Sequence, residues 1–241
     1  MQRANSAVAA GVMLAESDKL VRPLPGLLDG LSSVDCKRLR AIGREKLLEA
    51  GQLVWSQGDA QSGIYLIREG RVRSYYVAPS GREVTLAYWF AGNFVGGPDI
   101  FGMGPHMWTS VAAERSLLTF LPGLALRRLA LESASIAVAL LDALAFKARC
   151  YSAMAQMLGT RSVTERLHRL LIFLSHVYGV QRDGETVIGM PFTHGDLANL
   201  IGSTRQWVTV QLARLQEEGV ITYDRSMISI LDLSTLDREM N

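Results

Sequence analysis

The spacing of apolar residues changes twice along the chain and divides it into three regions. From about Leu47 to Leu121, short apolar runs are separated by glycine-bearing turns, which is typical of antiparallel strands in a sandwich, barrel or jelly roll. From about Ser133 to Leu158 there is no glycine or proline, and apolar residues recur every three or four positions, which predicts one long helix. Gly159-Thr160-Arg161 is expected to break this helix, and a second amphipathic helix is predicted over Val163–Tyr178, before a turn-rich stretch over 179–184. The combination of strands and helices predicts an α+β fold.

Within the first region, runs rich in Val, Ile, Tyr and Leu mark the individual strands. The strand candidates are Gly63–Ile67, Val72–Val77, Glu83–Trp89 and Ser110–Phe120, and a short helix is predicted over Asp35–Ala41. We expect four segments: a loose leader (1–19), a jelly-roll β domain (20–132), a long dimerisation helix (133–160) and a winged helix-turn-helix domain (161–241).

The long helix carries a candidate dimer seam. Its apolar residues alternate steps of three and four, which is the heptad spacing of a coiled coil. The seam residues are Leu141, Leu144, Ala148, Tyr151, Ala155 and Leu158. The alternative is that this stripe packs only on the β domain. Because Ile136, Leu140, Met154 and Met157 widen the apolar surface, we expect one face to contact the β domain and the other to form a parallel homodimer.

A candidate helix-turn-helix lies between Thr193 and Ile221. Thr193 is expected to cap the first helix, with Asp196 as its capping-box partner. Gly202 supplies the sharp turn, because glycine accepts a positive φ without steric cost. The predicted buried stripe of this helix consists of Leu197, Leu200 and Ile201.

The second helix begins at a cap formed by Ser203 or Thr204 and ends at Gly219. Its apolar face consists of Val208, Leu212 and Leu215. A hairpin over Val220–Leu231 follows directly and resembles a wing. Two amphipathic helices around a glycine also occur in domains that never contact DNA, so the polar face of the second helix decides the interpretation.

That polar face carries hydrogen-bonding side chains in its first turn, where a recognition helix presents residues to the major groove. Arginine bonds guanine through two donors, and glutamine bonds adenine through two groups. The predicted DNA contacts are Thr193, His194, Ser203, Thr204, Arg205, Gln206 and Thr209. His194 is either a phosphate contact that strengthens on protonation or an ordinary surface histidine.

The distribution of charge limits how this domain could bind DNA. The formal net charge of the chain is only +2. From Ser162 to the end there are seven Arg, no Lys and ten Asp plus Glu, a net charge of −3, so the remainder carries +5. Binding must then depend on local placement of arginine and on backbone amides at helix N-termini. We expect modest affinity per domain and dependence on two copies acting together.

Cysteine and histidine usage excludes several other classes. Cys36 and Cys150 do not form a C-x-x-C pair, which excludes a zinc finger or a four-cysteine iron–sulfur cluster within one chain. Cys150 is either a small apolar filler or an oxidant sensor. The β region holds one histidine, His106, so it lacks the cluster that cupin-type metal chemistry needs. We expect no metal and no enzymatic activity.

No apolar stretch approaches the length of a membrane span, and the scarcity of cysteine pairs fits a reducing compartment. We therefore expect a cytoplasmic protein without membrane contact.

Read in order, these motifs resemble the Crp/Fnr family of bacterial transcription regulators over about 20–238. The residues that carry the resemblance are Gly58-Asp59, Ile64–Ile67, Gly70–Val72, Gly81–Glu83, Gly92, Phe94 and Gly96 in the roll, and Val163-Thr164, Arg166-Leu167 and Gly202–Gln206 in the DNA-binding part. The resemblance implies a cyclic-nucleotide-binding-like roll that receives a small-molecule or redox signal. It also implies a homodimer joined by the long helix, binding to double-stranded DNA and contact with RNA polymerase.

Two departures from the family pattern bear on the signal. Family members that bind cyclic nucleotides have a glutamate for the ribose and an arginine for the phosphate, and these positions correspond here to Gly97 and Met107. A buried phosphate would then lack a charge partner, which is costly. We therefore do not expect cyclic AMP to bind.

The resemblance places a pocket at Gly96, Gly97, Met107, Trp108, Tyr151 and Ser152. Such a pocket would be apolar and aromatic, and would suit a small organic effector. Two alternatives stay open at this point: an empty pocket in a constitutively active regulator, or haem or another gas-binding cofactor on the same scaffold.

Overall fold

The computed structural model describes residues 26–182, 185–224 and 227–238, and these residues form two compact units that meet in the chain between Tyr151 and Ser152. The expected leader over 1–19 lies outside the described residues. Both units contain antiparallel sheets and helices, so the α+β fold expected from the apolar pattern is confirmed.

The first unit contains eight strands that form two four-stranded sheets. The strands are β1 (Arg44–Leu48), β2 (Leu53–Trp55), β3 (Gly63–Glu69), β4 (Arg71–Val77), β5 (Glu83–Phe90), β6 (Phe94–Val95), β7 (Thr109–Ala112) and β8 (Ser116–Pro122). One sheet has the order β1-β8-β3-β6 and the other β2-β7-β4-β5. Each pair is antiparallel, as the alternation of short runs and glycine turns predicts.

Three helices accompany these sheets: α1 (Ser33–Ile42), α2 (Gly123–Glu132) and the first part of α3 (Ala134–Thr160). They close one apolar core with the β1-β8-β3-β6 sheet. Its buried members include Ile64, Leu66, Phe94, Leu121, Leu126, Leu129, Ile136 and Leu140. The expectation that one face of the long helix contacts the β domain is therefore confirmed.

Besides the unpredicted short strands β1, β2 and β6, three differences from the sequence expectations concern this unit. The single strand expected over Ser110–Phe120 is two strands, because the chain turns at 113–115, where Ala113 N–H bonds to Arg71 O at 2.8 Å. Helix α2 was not expected. Helix α3 continues through Gly159, where an exposed glycine costs only about 1 kcal/mol, and ends before Ser162, whose side chain caps the next helix.

The second unit combines helices with a small four-stranded sheet. It contains α4 (Val163–Tyr178), β9 (Gly179–Arg182), β10 (Glu185–Ile188), α5 (His194–Ile201), α6 (Arg205–Glu217), β11 (Ile221–Asp224), β12 (Met227–Ile230) and α7 (Leu233–Arg238), with sheet order β11-β12-β10-β9. Helix α4 has the expected limits. The stretch 179–184 was expected to be a turn, but its flanks pair as strands; β9 is exposed at every position, so no alternating apolar pattern marks it.

Candidate nucleic-acid interface and effector region

Helix α5, the first helix of the candidate helix-turn-helix, has the predicted capping box. Thr193 Oγ1 accepts from Asp196 N at 3.1 Å, and the Asp196 carboxylate accepts from Thr193 N at 2.9 Å. Gly202 follows the helix with φ 67° and ψ 41°, the left-handed conformation that glycine adopts without a Cβ clash. The stripe predicted to be buried, Leu197, Leu200 and Ile201, is buried.

Helix α6 separates an apolar face from an exposed polar face. Thr204 caps it by accepting from Trp207 N at 3.2 Å, which decides between the two cap candidates. Val208, Leu212 and Leu215 are buried. Arg205, Gln206 and Thr209 are exposed. Thr209 lies three residues after Gln206 and four after Arg205, and residues at these spacings share a helical face, so the three form one surface at the helix N-terminus.

His194 is half-buried rather than an ordinary surface histidine, and it connects α5 to that surface. Its Nδ1 lies 2.7 Å from Thr209 Oγ1, and the Thr209 hydroxyl donates to Arg205 O at 2.9 Å. With its hydrogen used, the hydroxyl oxygen accepts from Nδ1–H, which places the proton of the neutral ring on Nδ1. The pKa of His194 is lowered mainly by desolvation and to a smaller extent by the charge of Arg205, so the neutral ring predominates at pH 7.

The N-terminus of α5 and the first residue of α6 border a cleft of about 450 Å³ lined by Thr193, His194, Gly195, Arg205 and Tyr223. Tyr223 comes from the wing; its hydroxyl donates to Phe192 O at 3.3 Å, and its ring centroid lies 4.6 Å from that of His194. The first N–H groups of a helix have no intrahelical acceptor and carry partial positive charge. The cleft therefore combines helix N–H groups with a guanidinium, which suits an anion.

Arg166 fixes the base of the motif, a role that sequence spacing alone did not indicate. Its guanidinium donates to Leu158 O at 2.7 Å, Arg161 O at 3.0 Å and Ile201 O at 3.1 Å. A cation at the carbonyl ends of α3 and α5 is favoured by the helix dipoles. The end of α5, and with it the turn at Gly202, is held against the end of α3.

The residues expected to form an effector pocket are only partly brought together. The rings of Trp108 and Tyr151 lie 5.7 Å apart. Gly96 and Gly97 are buried, Met107 is 58% exposed, and Ser152 is exposed in the second unit. The described part of the first unit contains two cavities, and none of the six residues expected to form the pocket lines either of them.

The stretch 96–108 contains the positions that correspond to the nucleotide contacts of the family and is called the cassette below. It does not offer a cation for a phosphate. Gly97 has φ 105°, a conformation that disfavours the glutamate of the nucleotide-binding members. The one basic residue of the stretch 96–108 is His106. Its ring stacks on Trp55 with a centroid distance of 4.2 Å, and burial lowers its pKa against the opposing effect of Asp59, so it remains neutral.

The predicted seam on α3 differs from the rest of the helix in exposure. Leu141 is 64% exposed, Ala148 and Ala155 are exposed, and Leu144, Tyr151 and Leu158 are half-buried. Of the four residues that widen the stripe, Ile136, Leu140 and Met157 are buried and Met154 is half-buried. The seam residues thus keep accessible apolar surface within the single chain.

Membrane spans and metal clusters are absent from the described part of the chain. None of the helices there combines the length and the hydropathy that crossing a membrane requires. No cluster of three or more His, Cys, Asp or Glu in residues 26–182, 185–224 and 227–238 could hold a metal ion.

The first unit is a β-roll, and the second contains a helix-turn-helix followed by a β-hairpin, which is the arrangement of a winged DNA-binding domain. The model of the cyclic nucleotide-binding domain matches residues 45–133, and that of the Crp-like helix-turn-helix domain matches residues 165–239. The chain belongs to the Crp/Fnr family of DNA-binding transcription regulators, which confirms the resemblance drawn from its motifs.

Relatives and solved structures agree with this assignment. The regulatory protein HlyX of Actinobacillus pleuropneumoniae is 29% identical over 78% of this chain and 78% of its own. The fumarate and nitrate reduction regulatory protein of Escherichia coli K12 is 25% identical over 78% of this chain and 75% of its own. These relatives are regulators, in agreement with the expectation that the chain is not an enzyme.

Among solved structures, the c-di-GMP responsive global regulator CLP of Xanthomonas campestris superposes with a TM-score of 0.75 at 20% identity, covering 83% of this chain and 99% of its own. A Crp/Fnr family regulator of Thermus thermophilus gives a TM-score of 0.62 at 26% identity, with 82% and 98% covered. At 20% identity the first comparison bears on the fold alone, and it supports the jelly-roll and helix-turn-helix architecture.

Proposed function

We propose that the chain acts as a homodimer that binds an imperfect palindrome, with α6 of each copy in the major groove. The observation that carries this proposal is the first turn of α6, where Arg205 and Gln206 are exposed to solvent. Arg205 would bond guanine through two donors, and Gln206 would bond adenine through its amide. Thr209 would present its methyl group, because its hydroxyl already bonds to Arg205 O and His194.

The cleft beside α5 would hold a backbone phosphate. Its lining offers the first-turn N–H groups of His194 and Gly195 and the guanidinium of Arg205. Half or more of protein–DNA hydrogen bonds go to phosphate and sugar, and these contacts set the register of a recognition helix. This contact explains how a domain with a net charge of −3 (Ser162 to the end) could bind DNA: its cations are placed locally.

Dimerisation would occur through the accessible seam on α3. Leu141, Ala148 and Ala155 leave apolar surface exposed at heptad spacing, and a second copy of the same helix would bury it. Two half-sites read together would compensate for the modest affinity of one acidic domain. The half-site centres would lie about 34–36 Å apart, or a small multiple of that distance.

The signal received by the first unit would be a small organic or redox signal rather than cyclic AMP. Two observations support this: the cassette lacks a charged partner for phosphate, and its histidine is buried and neutral. The indole of Trp108 and the phenol of Tyr151 provide an aromatic surface instead. Contact with RNA polymerase and a cytoplasmic location are expected of a bacterial regulator of this kind.

Selection of binding sites from random DNA tests the reading mechanism. Wild type should select a palindrome, Arg205→Ala should lose selectivity at one guanine, and Gln206→Glu should change the preferred neighbouring base, because a carboxylate accepts from cytosine but cannot pair with both adenine groups. Identical selected sequences and affinities for all three proteins would contradict the proposal.

Calorimetry with cyclic AMP and cyclic GMP tests the proposed class of signal. We expect no binding of either nucleotide at micromolar concentration, because neither Gly97 nor Met107 can hold the ribose or the phosphate. Micromolar binding of either would refute the assignment of the cassette and leave the DNA proposal intact, since the two sites lie in different units.

A further inference from the structure

Lys147, in the middle of α3, is a buried cation that DNA recognition does not require. Only 7% of its side chain is exposed, although lysine is almost never fully buried unless paired. Its Nζ lies 3.2 Å from the ring centroid of Trp89 and 4.8 Å from that of Phe94. Within the described ranges, no carboxylate or other hydrogen-bond acceptor pairs with this ammonium.

The two aromatic faces compensate only part of the cost of this burial. A cation–π contact stabilises a desolvated cation, but by less than the hydration free energy that the cation loses on burial. Burial accordingly lowers the pKa of Lys147 well below its ordinary value. The ammonium is therefore short of a counter-charge, and an anion beside it would restore the charged form.

A cavity next to Lys147 has room for such an anion. It measures about 100 Å³, and its walls include Leu27, Trp89, Phe94, Asp142, Phe146 and Lys147, all within the first unit. Because an apolar cavity of about 150 Å³ holds benzene, this one would hold roughly four or five non-hydrogen atoms. It is lined by other residues than those of the nucleotide cassette around Gly97.

We propose that this cavity is a binding site for a small monocarboxylate of the size of acetate or propionate. The carboxylate would accept charge-assisted hydrogen bonds from Lys147 Nζ, which has three donors. The methyl or ethyl group would contact Trp89, Phe94 and Phe146. The carboxylate of such a ligand would therefore face a cation, and its alkyl group would face aromatic rings.

Asp142 makes the site selective for a single negative charge. Asp142 lines the same cavity and is exposed to solvent, so its charge is partly screened. A monocarboxylate brings one negative charge for the one positive charge of Lys147. A dianion such as phosphate would add a second charge facing Asp142 and would also have no apolar group for the aromatic wall.

Calorimetry of the full-length protein without DNA tests this site directly, so the result does not depend on the DNA-binding proposal. Propionate should bind wild type in a saturable manner, and Lys147→Met should weaken binding at least tenfold. Lys37→Met is the matched control, because Lys37 is exposed on α1; this variant should bind propionate as wild type does. Phosphate should bind at least tenfold more weakly than propionate.

A second variant guards against an effect of Lys147→Met on folding. Ala143 lines the cavity, so Ala143→Leu should fill it and abolish propionate binding while leaving Lys147 in place. The sequence has four lysines, and carbon-13 labelling at Cε lets the Lys147 signal be followed by NMR as propionate is added. Absence of binding by wild type, equal binding by Lys147→Met, or equal binding of phosphate would overturn the proposal.

Discussion

The two units place their key cations in opposite environments. Arg205 in the second unit is exposed at a helix N-terminus, whereas Lys147 in the first unit is buried against Trp89 and Phe94. An exposed cation keeps its hydration until a polyanion displaces it, but a buried one has already lost hydration and needs a partner within the fold. Net charge is thus a poor guide to binding here, because the acidic domain presents Arg205 to solvent and the basic remainder of the chain encloses Lys147.

The largest expected effect comes from disrupting the proposed dimer, since the exposed arginine of one acidic domain should not suffice for DNA binding. Leu141→Glu combined with Ala155→Glu introduces charge at two exposed seam positions. We expect a monomer by light scattering and a loss of DNA affinity on the order of 100-fold. Val34→Glu, at an exposed position of α1, should remain dimeric, and a dimeric seam variant would place the interface elsewhere.

The next largest effect concerns the exposed cation itself. Arg205→Ala should cost about 1–3 kcal/mol of specific DNA binding, because one bidentate base contact is lost. Arg214→Ala is the matched control on the same helix: Arg214 Nε bonds to Glu218 Oε1 at 2.7 Å, near the opposite end of α6. Fluorescence anisotropy with a selected site measures both, and equal losses would mean that position along α6 is irrelevant.

The burial of Lys147 should affect how the free energy of unfolding depends on pH. Since the pKa of Lys147 is lowered in the fold, the unfolded chain binds more protons than the folded chain between that lowered pKa and about 10.4. Stability contributed by this group therefore rises with pH in that window, by up to about 1.4 kcal/mol per pH unit.

Lys147→Met should remove that slope and should also raise the melting temperature at neutral pH, because an apolar side chain of similar length needs no counter-charge. Denaturant unfolding of both proteins at several pH values measures the difference. Parallel stability curves would show that Lys147 titrates as an exposed lysine does.

The smallest expected effect lies at His194, which is intermediate between the two environments. Its pKa is lowered by desolvation and by Arg205, and a DNA phosphate in the adjoining cleft would raise it again. DNA affinity should then increase about two- to fivefold as pH falls from 7.5 to 6, below the tenfold per pH unit of one full proton. His194→Gln should be insensitive over this range, and an unchanged pH profile would exclude His194 from the phosphate contact.

The fold followed from sequence wherever the determining interactions are local. The caps at Thr193 and Thr204, the turn at Gly202 and the limits of α4 depend on residues within a few positions of one another, and they were predicted. Helix α2 was missed. Strands β1, β2, β6, β9 and β10 were missed as well; β9, for example, is exposed throughout, and its pairing with β10 leaves no apolar alternation to detect.

The functional residues show the same difference between local and long-range interactions. Arg205 and Gln206 were recognisable because one helical turn presents them together. Lys147 was not, since Trp89 and Phe94 come from distant parts of the chain and no spacing rule connects them to α3. Tyr223 and Arg166 were missed for the same reason: their contacts to His194 and Ile201 span 29 and 35 residues.

The three carbonyl contacts of Arg166 have a practical consequence for building chimeric regulators. Cutting the chain at Ser162, where α4 begins, would separate this guanidinium from the carbonyl oxygens of Leu158 and Arg161. A transplanted DNA-binding domain should therefore include at least the last turn of α3, starting upstream of Leu158. In grafts that begin at Ser162, the Arg166 guanidinium would keep only its bond to Ile201 O at the end of α5 and would lose the other two.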